Sequence, residues 1–415
     1  MLASMERSAI PFDSLSHAHR PLRMAVVTET YPPEVNGVAM TLGRIVSAMQ
    51  AREHHIQLIR PRQGAQDTSQ AKPHLETLLK PGLPIPRYRG LRMGLPAKAA
   101  LLALWREKRP DVVHVVTEGP LGWSALSAAL QLGIPVTSGF HTNFHHYSRH
   151  YGLGWLKAPI ARYLRSFHNR TRLTMVPTHA MRDDLLHQGY RQLHVVARGV
   201  DTALFNPARR DDGLRATWGA RPDDLVALYV GRLAPEKNLS LVMRAYAMMR
   251  TRAPSAKLVL VGDGPMQAEL KRALPDAIFA GMRIGTDLAA YYASGDVFLF
   301  PSLTETFGNV TLEAMASGLA VIAYDYAAAR ESITQGENGL LAPLDDATAF
   351  CALAQALAPD HRRARALGEA ARRAAECYDW STIYAQFEQA LCHVVQEHER
   401  SAHDATRIAF RPRPN

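Results

Sequence analysis

The stretch VFLFPSLTETFGNVTLEAMASGLAVIA, Val297–Ala323, runs from a short apolar strand through a polar loop into a small-residue helix and a second apolar strand. Strand, helix and strand within so few residues describe a crossover unit, which builds a parallel sheet. The helix opens near Gly308, and the backbone N–H groups of a helix start have no internal partners, so they form a ready anion site. Gly308 lets a ligand approach the backbone, Asn309 adds a side-chain amide, and Phe307 and Val310 flank the opening. Glu305 stands before the helix and Glu313 eight residues later. Together they can address opposite ends of one elongated ligand, with phosphates between a sugar and a ribose. A capped helix carrying two surface glutamates is the plain alternative, because Glu-x7-Glu alone recurs by chance.

The same rhythm extends outward in both directions. Strand candidates Met24–Thr28, His55–Ile59, Val112–Val116, Val136–Gly139, Met175–Pro177 and Val195–Ala197 precede Asn206–Pro207. A second set follows: Leu225–Val230, Lys257–Val261, Ala277–Ala280, Val297–Phe300 and Ala320–Ala323. Helix-compatible segments between them include Val38–Met49, Ala97–Lys108, Asn238–Arg250, Pro265–Ala273, Asp287–Ala293 and Gly308–Ala316. Short apolar strands alternating with helices predict an α/β fold of two doubly wound, Rossmann-like domains. Such sheets bind ligands at the carboxyl ends of their strands, which places the site in a central cleft between the two. Asp201–Pro222, with its prolines, Asp211–Asp212 and Gly213, reads as the linker.

Composition agrees with a folded enzyme-sized protein. The 415 residues are 47% hydrophobic and 21% charged, enough for two cores. No apolar run is long enough to span a bilayer, and the opening MLASMERSAIPFD lacks the apolar core of a secretion signal. Residues 1–20 read as a loose tail. Cys351, Cys377 and Cys392 form no C-x-x-C pair and suit a reducing, cytoplasmic setting. Charge is asymmetric: residues 1–200 carry a net +13 and residues 201–415 a net −3. A basic half attracts anions, although a solvated basic face accounts for the charge equally well.

Four more loops carry chemistry. VALYVGRLAPEKNL, Val226–Leu239, sets Arg232 and Lys237 after a strand, where two cations can meet a leaving group that gains charge. LVLVGDGP, Leu258–Pro265, ends a strand in Gly262, Asp263 and Gly264, with Asp263 readable as a helix cap. TETYPPEVNGVAMTLGRI, Thr28–Ile45, opens a helix near Gly37 and again bares N–H groups at a strand end, yet G-x-G-x-x-G occurs nowhere. SGFHTNFHHYSRHYG, Ser138–Gly152, holds His141, His145, His146 and His150 at one-turn spacings. Those spacings admit zinc, but no carboxylate completes a ligand set, so no metal is assigned. Asp-x-Asp, the usual device for a metal-bridged diphosphate, is also missing.

Taken together and in order, these segments resemble the retaining glycosyltransferases of family 4, which have the GT-B fold. The resemblance runs from about Met24 to His393, with VPTHAMRDDLL and ARGVDTALFNP matching the interdomain region. It implies that Glu305 binds hexose hydroxyls, Glu313 the ribose, and the Phe307–Val310 backbone the diphosphate. It further implies that Arg232 and Lys237 neutralise that diphosphate, that Gly37 lets its loop approach the phosphates, and that His141 faces the donor sugar. Gly262, Gly264 and Met282 would border the nucleotide, while Glu34, Asn36 and His145 would lie on the acceptor side. The implied domains are 21–205 for the acceptor, 206–378 for the donor, and 379–415 as a helix, starting at Trp380, that crosses back. TETYPPEVNGVA and RGVDTALF are most similar to bacterial α-mannosyltransferases that use GDP-mannose, with UDP-glucose or UDP-N-acetylglucosamine enzymes as the alternative. No cofactor is implied beyond the nucleotide-sugar substrate.

The acceptor is expected to be a glycan or lipid-linked. Arg87, Arg89, Arg92, Lys98, Arg106, Lys108 and Arg109 interleave with Tyr88, Leu91, Met93 and Leu95, a composition able to rest peripherally on anionic lipid. An ordinary helix with a cationic rim is the competing account. A nucleotide-sugar 2-epimerase shares the implied fold but needs no acceptor. A nucleic-acid binder would explain the charge, yet no recognisable module for it is present.

Overall fold

The computed structural model describes residues 20–34, 36–64, 66–69, 71–84, 92–141, 157–305 and 307–409. The first sheet collects β1 (Arg23–Val27), β2 (His55–Pro61), β3 (Ala71–Lys72), β4 (Leu75–Lys80), β7 (Val112–Val115), β8 (Val136–Gly139), β9 (Leu173–Val176) and β10 (Leu193–Val195). A separate antiparallel pair, β5 (Gly82–Pro84) and β6 (Arg92–Gly94), lies between β4 and β7 in the chain. The helices of this half are α1 (Gly37–Ala51), α2 (Lys98–Glu107), α3 (Pro120–Gln131), α4 (Lys157–His168) and α5 (His179–His187).

The second half begins with the short helix α6 (Asp212–Thr217). Its sheet contains β11 (Val226–Val230), β12 (Lys257–Val261), β13 (Ile278–Gly281), β14 (Val297–Phe300), β15 (Ala320–Tyr324) and β16 (Leu340–Ala342). Its helices are α7 (Leu239–Arg250), α8 (Gln267–Ala273), α9 (Gly285–Ala293), α10 (Asn309–Ala316), α11 (Ala327–Ser332), α12 (Ala347–Leu357) and α13 (His361–Glu376); α14 (Trp380–Ala409) is the last element among the described residues.

Strand order explains where a ligand can sit. The first sheet runs β10-β9-β8-β7-β1-β2-β4-β3, parallel except for the β3–β4 edge, and the second runs β13-β12-β11-β14-β15-β16, all parallel. Each winds outward in both directions from a central pair, β1/β7 and β11/β14, so each has a switch point whose loops diverge and leave a crevice. The α/β, GT-B architecture is thus two facing doubly wound sheets. The central strands of the second sheet are short apolar runs buried on both faces, Val226–Val230, Val297–Phe300 and Ala320–Tyr324 throughout, as sheets covered by helices require.

The crossover helix is α14. Trp380, Ile383, Phe387 and Leu391 pack into the first sheet's core with Met24, Val26, Leu42 and Val46. Gly199 lies so close to Trp380 that a Cβ there would come within 2.6 Å of the indole, which accounts for glycine at that position.

The expected linker is partly structured. Between residues 201 and 222 the chain forms α6, and Arg215 is buried, donating to the carbonyls of Ser294 and Asp224 at 2.7 Å each and pairing with Asp296 at 3.1 Å. A buried guanidinium requires such partners, so this segment is docked on the second core. Arg372 also stitches it down, donating to the carbonyls of Thr202, Phe205 and Ala316.

Candidate functional site

The switch point of the second sheet builds the centre. β11 and β14 are adjacent, so the loop after β11, bearing Arg232 and Lys237, lies beside the loop after β14, bearing Glu305. Lys237 Nζ donates to Glu305 Oε1, and Ser302 Oγ donates to the same oxygen at 2.7 Å. Both charged side chains are largely withdrawn from solvent. Thr304 donates to the Glu236 carbonyl at 3.3 Å, Tyr326 OH to the Glu305 carbonyl at 2.9 Å, and Ala328 N to the Phe307 carbonyl at 2.7 Å. The glutamate loop is therefore held from both sides.

Arg232 differs. Its guanidinium is 64% exposed and pairs with Glu236 four residues on. The structure thus brings Lys237 to Glu305 and leaves Arg232 at the rim of the same loop.

The helix opening follows at once. Gly308 has φ +93° and ψ 62° as the residue before α10, a left-handed conformation that costs any other L-residue roughly 1–2 kcal/mol. Phe307 is buried behind it, while Asn309 Oδ1 is buried without a hydrogen-bond partner among the described residues. Val310 and Glu313 are on α10, and Glu313 accepts from Tyr292 OH at 2.9 Å. Burial pushes the Glu313 carboxyl up, and that hydrogen bond and Arg44 pull it back.

Gly262 and Gly264 are dictated by packing. A Cβ would meet the Gly231 carbonyl at 2.1 Å in the first case and the Leu233 carbonyl at 2.3 Å in the second. The backbone of residues 262–264 can therefore lie directly on the arginine loop, and Leu233 N donates to Asp263 O at 2.9 Å. α8 starts at Gln267, and Met266 N just before it donates to the Leu233 carbonyl at 3.0 Å. Asp263 caps no backbone there and accepts from Gln267 Nε2 at 3.2 Å. Past β13, Met282 and Ile284 are 64% and 74% exposed, an uncovered apolar pair.

Across the cleft, Asn36 caps α1, accepting from Val38 N at 3.1 Å and Ala39 N at 2.9 Å. Glu34 is ringed by Thr30, Gln63 and Asn36 as donors. Both residues, expected on the acceptor side, are thus engaged in shaping their own loop. Gly37 opens the helix. His141 follows β8; its Nε2 lies against Gly139 and its Nδ1 is buried without a partner among the described residues. Burial first, then the charge of Arg198 and the neighbouring His114 and His168, hold the imidazole well below its ordinary range, so it is neutral. His145, His146 and His150 lie outside the described residues, as do Arg87 and Arg89. Among the described residues no group of three or more His, Cys, Asp and Glu gathers to hold a metal, and no helix is long and apolar enough to cross a membrane.

Two residues escaped the sequence reading. Arg198, at the end of the first half, is 7% exposed and lines a small, mostly apolar cavity with His141. Glu29, just past β1, accepts from Leu121 N at the start of α3 at 3.3 Å. Arg198 lies in ARGVDTALFNP and Glu29 in TETYPPEVNGVA, but neither motif by itself marks what its charge does.

Residues 35–204 match the family model described as Glycosyltransferase Family 4, and residues 224–360 match that of Glycosyl transferases group 1. A GDP-mannose-dependent alpha-mannosyltransferase of Mycolicibacterium smegmatis is 33% identical over 87% of this chain and 95% of its own. An alpha-monoglucosyldiacylglycerol synthase of Streptococcus pneumoniae is 27% identical over 73% of this chain and 71% of its own. Sucrose-phosphate synthase of Thermosynechococcus elongatus superposes with a TM-score of 0.70 at 21% identity, over 91% of this chain and 100% of its own. With the two sheets, their switch points and both family models in the same chain order, this protein belongs to the family 4 glycosyltransferases of the GT-B fold.

Proposed function

We propose that this glycosyltransferase moves a mannosyl group from GDP-mannose onto a lipid-linked or glycan acceptor, with retention of anomeric configuration. The observation that carries the reading is the Lys237–Glu305 pair at the β11/β14 switch point, next to the open start of α10. A diphosphate set there meets the α10 amides and the Lys237 ammonium, with Arg232 able to swing in from the rim. Glu305, already accepting two donors, remains an acceptor for sugar hydroxyls.

In the transfer, the bond from the sugar's anomeric carbon to the diphosphate oxygen breaks, and its electron pair leaves with the diphosphate. The acceptor hydroxyl attacks that carbon from the same face and passes its proton to the departing phosphoryl oxygen. Lys237 and the amides meet the charge that develops there. Neutral His141 offers the sugar a hydrogen bond without adding a competing cation. Met282 and Ile284 give the base an apolar bed, and Glu313 serves the ribose. On this reading residues 21–205 form the acceptor side and 206–378 the donor side.

The mannosyltransferase relative supports mannose, and the diacylglycerol named in the second relative supports a glycolipid acceptor. A ligand that binds only the folded state raises its melting temperature. In a thermal-shift panel of GDP-mannose, UDP-glucose, UDP-galactose and UDP-N-acetylglucosamine, GDP-mannose should give the largest shift. A larger shift with any UDP-sugar would replace the donor.

A further inference from the structure

The cations that the loop motif supplies are both spoken for: Lys237 pairs with Glu305 and Arg232 with Glu236. Arg198 is not. It makes no hydrogen bond or ion pair with any described residue, although it is 7% exposed. A guanidinium withdrawn from water without a carboxylate is unfavourable, so some other contribution must account for keeping it.

Its surroundings indicate what that is. Arg198 Nη1 lies against Gly37, where a Cβ would come within 3.2 Å of it. Gly37 opens the 15-residue α1; Asn36 takes the Val38, Ala39 and Met40 amides, while Gly37 N–H has no acceptor among the described residues and lies at the positive end of the helix dipole. Arg198 also shares the lining of one cavity of about 40 Å³ with His141 and Thr41, and His141 Nδ1 and Thr41 Oγ1 are both buried without partners among the described residues. From the far side Glu305 reaches it electrostatically; burial draws its pKa down to about 10 and Glu305 opposes that. Arg198 therefore stands at the start of α1, within electrostatic reach of Glu305, which Lys237 also holds.

We infer that Arg198 is a phosphate-binding residue that grips the sugar-linked phosphoryl of the donor from the first sheet, completing with the Gly37 N–H a cradle whose other wall is Lys237 and α10. This rests on the reading of the cleft as a nucleotide-sugar site. Its planar fork suits two phosphoryl oxygens at once, which an ammonium cannot reproduce. It also gives the first sheet a direct hold on the leaving group: both walls must be present for the charge to be met.

The test combines binding and stability in Arg198→Met and Arg198→Lys. Arg198→Met should weaken GDP binding by calorimetry about tenfold or more, the loss of one charge-assisted contact, while GMP, which lacks the second phosphoryl, changes less than about twofold. Arg198→Lys should recover part of the loss. Without nucleotide, Arg198→Met should melt at or above the wild-type temperature, since an uncompensated buried charge is gone; a residue kept for structure would lower it. UDP and UMP run in parallel, so that a wrong base in the donor reading shows as wild-type binding of UDP alone while the Arg198 comparison still stands. Equal GDP and UDP affinity in wild type and Arg198→Met would overturn the inference. So would parallel losses of GDP and GMP binding with a lowered melting temperature, a raised acceptor KM with nucleotide affinity unchanged, or a wild-type protein that binds neither diphosphate.

Discussion

The Lys237 ammonium rests on the Glu305 carboxylate, tying the loop after β11 to the loop after β14 at the switch point of the second sheet. The pair balances charge locally; on the proposed reading its ammonium meets the diphosphate and its carboxylate the sugar hydroxyls.

Substitution at either partner should therefore cost transfer more than folding. Lys237→Ala and Glu305→Ala should each lower kcat/KM by roughly 10²–10³-fold, the scale of losing one group aimed at developing charge. The double variant should lose much less than the product of the two, because the residues act as a unit. Steady-state kinetics on all three, with circular dichroism as a check of folding, decides it; strictly multiplicative losses would mean that the pair works as two independent groups.

Gly308 tests the helix opening. Its φ of +93° predicts that Gly308→Ala destabilises by about 1–2 kcal/mol in urea unfolding and also weakens donor binding, since the α10 amides are displaced. Gly336, at φ +80° and with open space where a Cβ would stand, is the control. Gly336→Ala should carry a similar backbone cost with donor affinity unchanged.

Glu29 gives the protein a pH signature. Burial, opposed by the Leu121 N–H and reinforced by Glu118, pushes its carboxyl up to about 7. The folded protein then holds this proton more tightly than the unfolded chain, whose carboxyl titrates near 4.5. Stability from this group is complete below pH 4.5 and is lost as pH rises to about 7. Glu29→Gln should accordingly raise the melting temperature at about pH 8, above the folded pKa, and leave it nearly unchanged below the unfolded one. A uniform shift at both pH values would contradict the assignment.

The two halves also meet at His179 and Glu331. The Glu331 carboxylate, on α11, accepts from His179 N at 2.6 Å, pairs with His179 Nδ1 at 2.8 Å and reaches Ala180 N at 3.4 Å, so it caps α5 of the other half. Losing a cap of this kind costs about 1 kcal/mol. Glu331→Ala should loosen the halves, visible in small-angle scattering as a broader distribution of distances and in kinetics as a higher donor KM.

Much of this was legible in the residues. Val136–Gly139, Lys257–Val261 and Val297–Phe300 are strands with the same limits in the chain and in the fold; in the last, every residue is apolar and buried, as a central parallel strand requires. Leu75–Lys80 went unread: only Thr77 of its six residues is buried, so it lacks that run, and pairing with β2 makes it a strand. Arg198 was invisible for a different reason. Its burial, its lack of a partner and its contact with Gly37 arise from segments 161 residues apart, and no local pattern encodes them. The Lys237–Glu305 pair lies between these cases. Each residue belonged to a motif, but their contact follows from strand order, which places β14 beside β11.

The most direct measurement of the central claim is the anomeric configuration of the product. With GDP-mannose labelled at the anomeric carbon and a glycolipid acceptor, the one-bond carbon–proton coupling in the NMR spectrum distinguishes the anomers. Same-face transfer in the Lys237–Glu305 cleft should give an α-linked product from the α-linked donor. A β-linked product would contradict it.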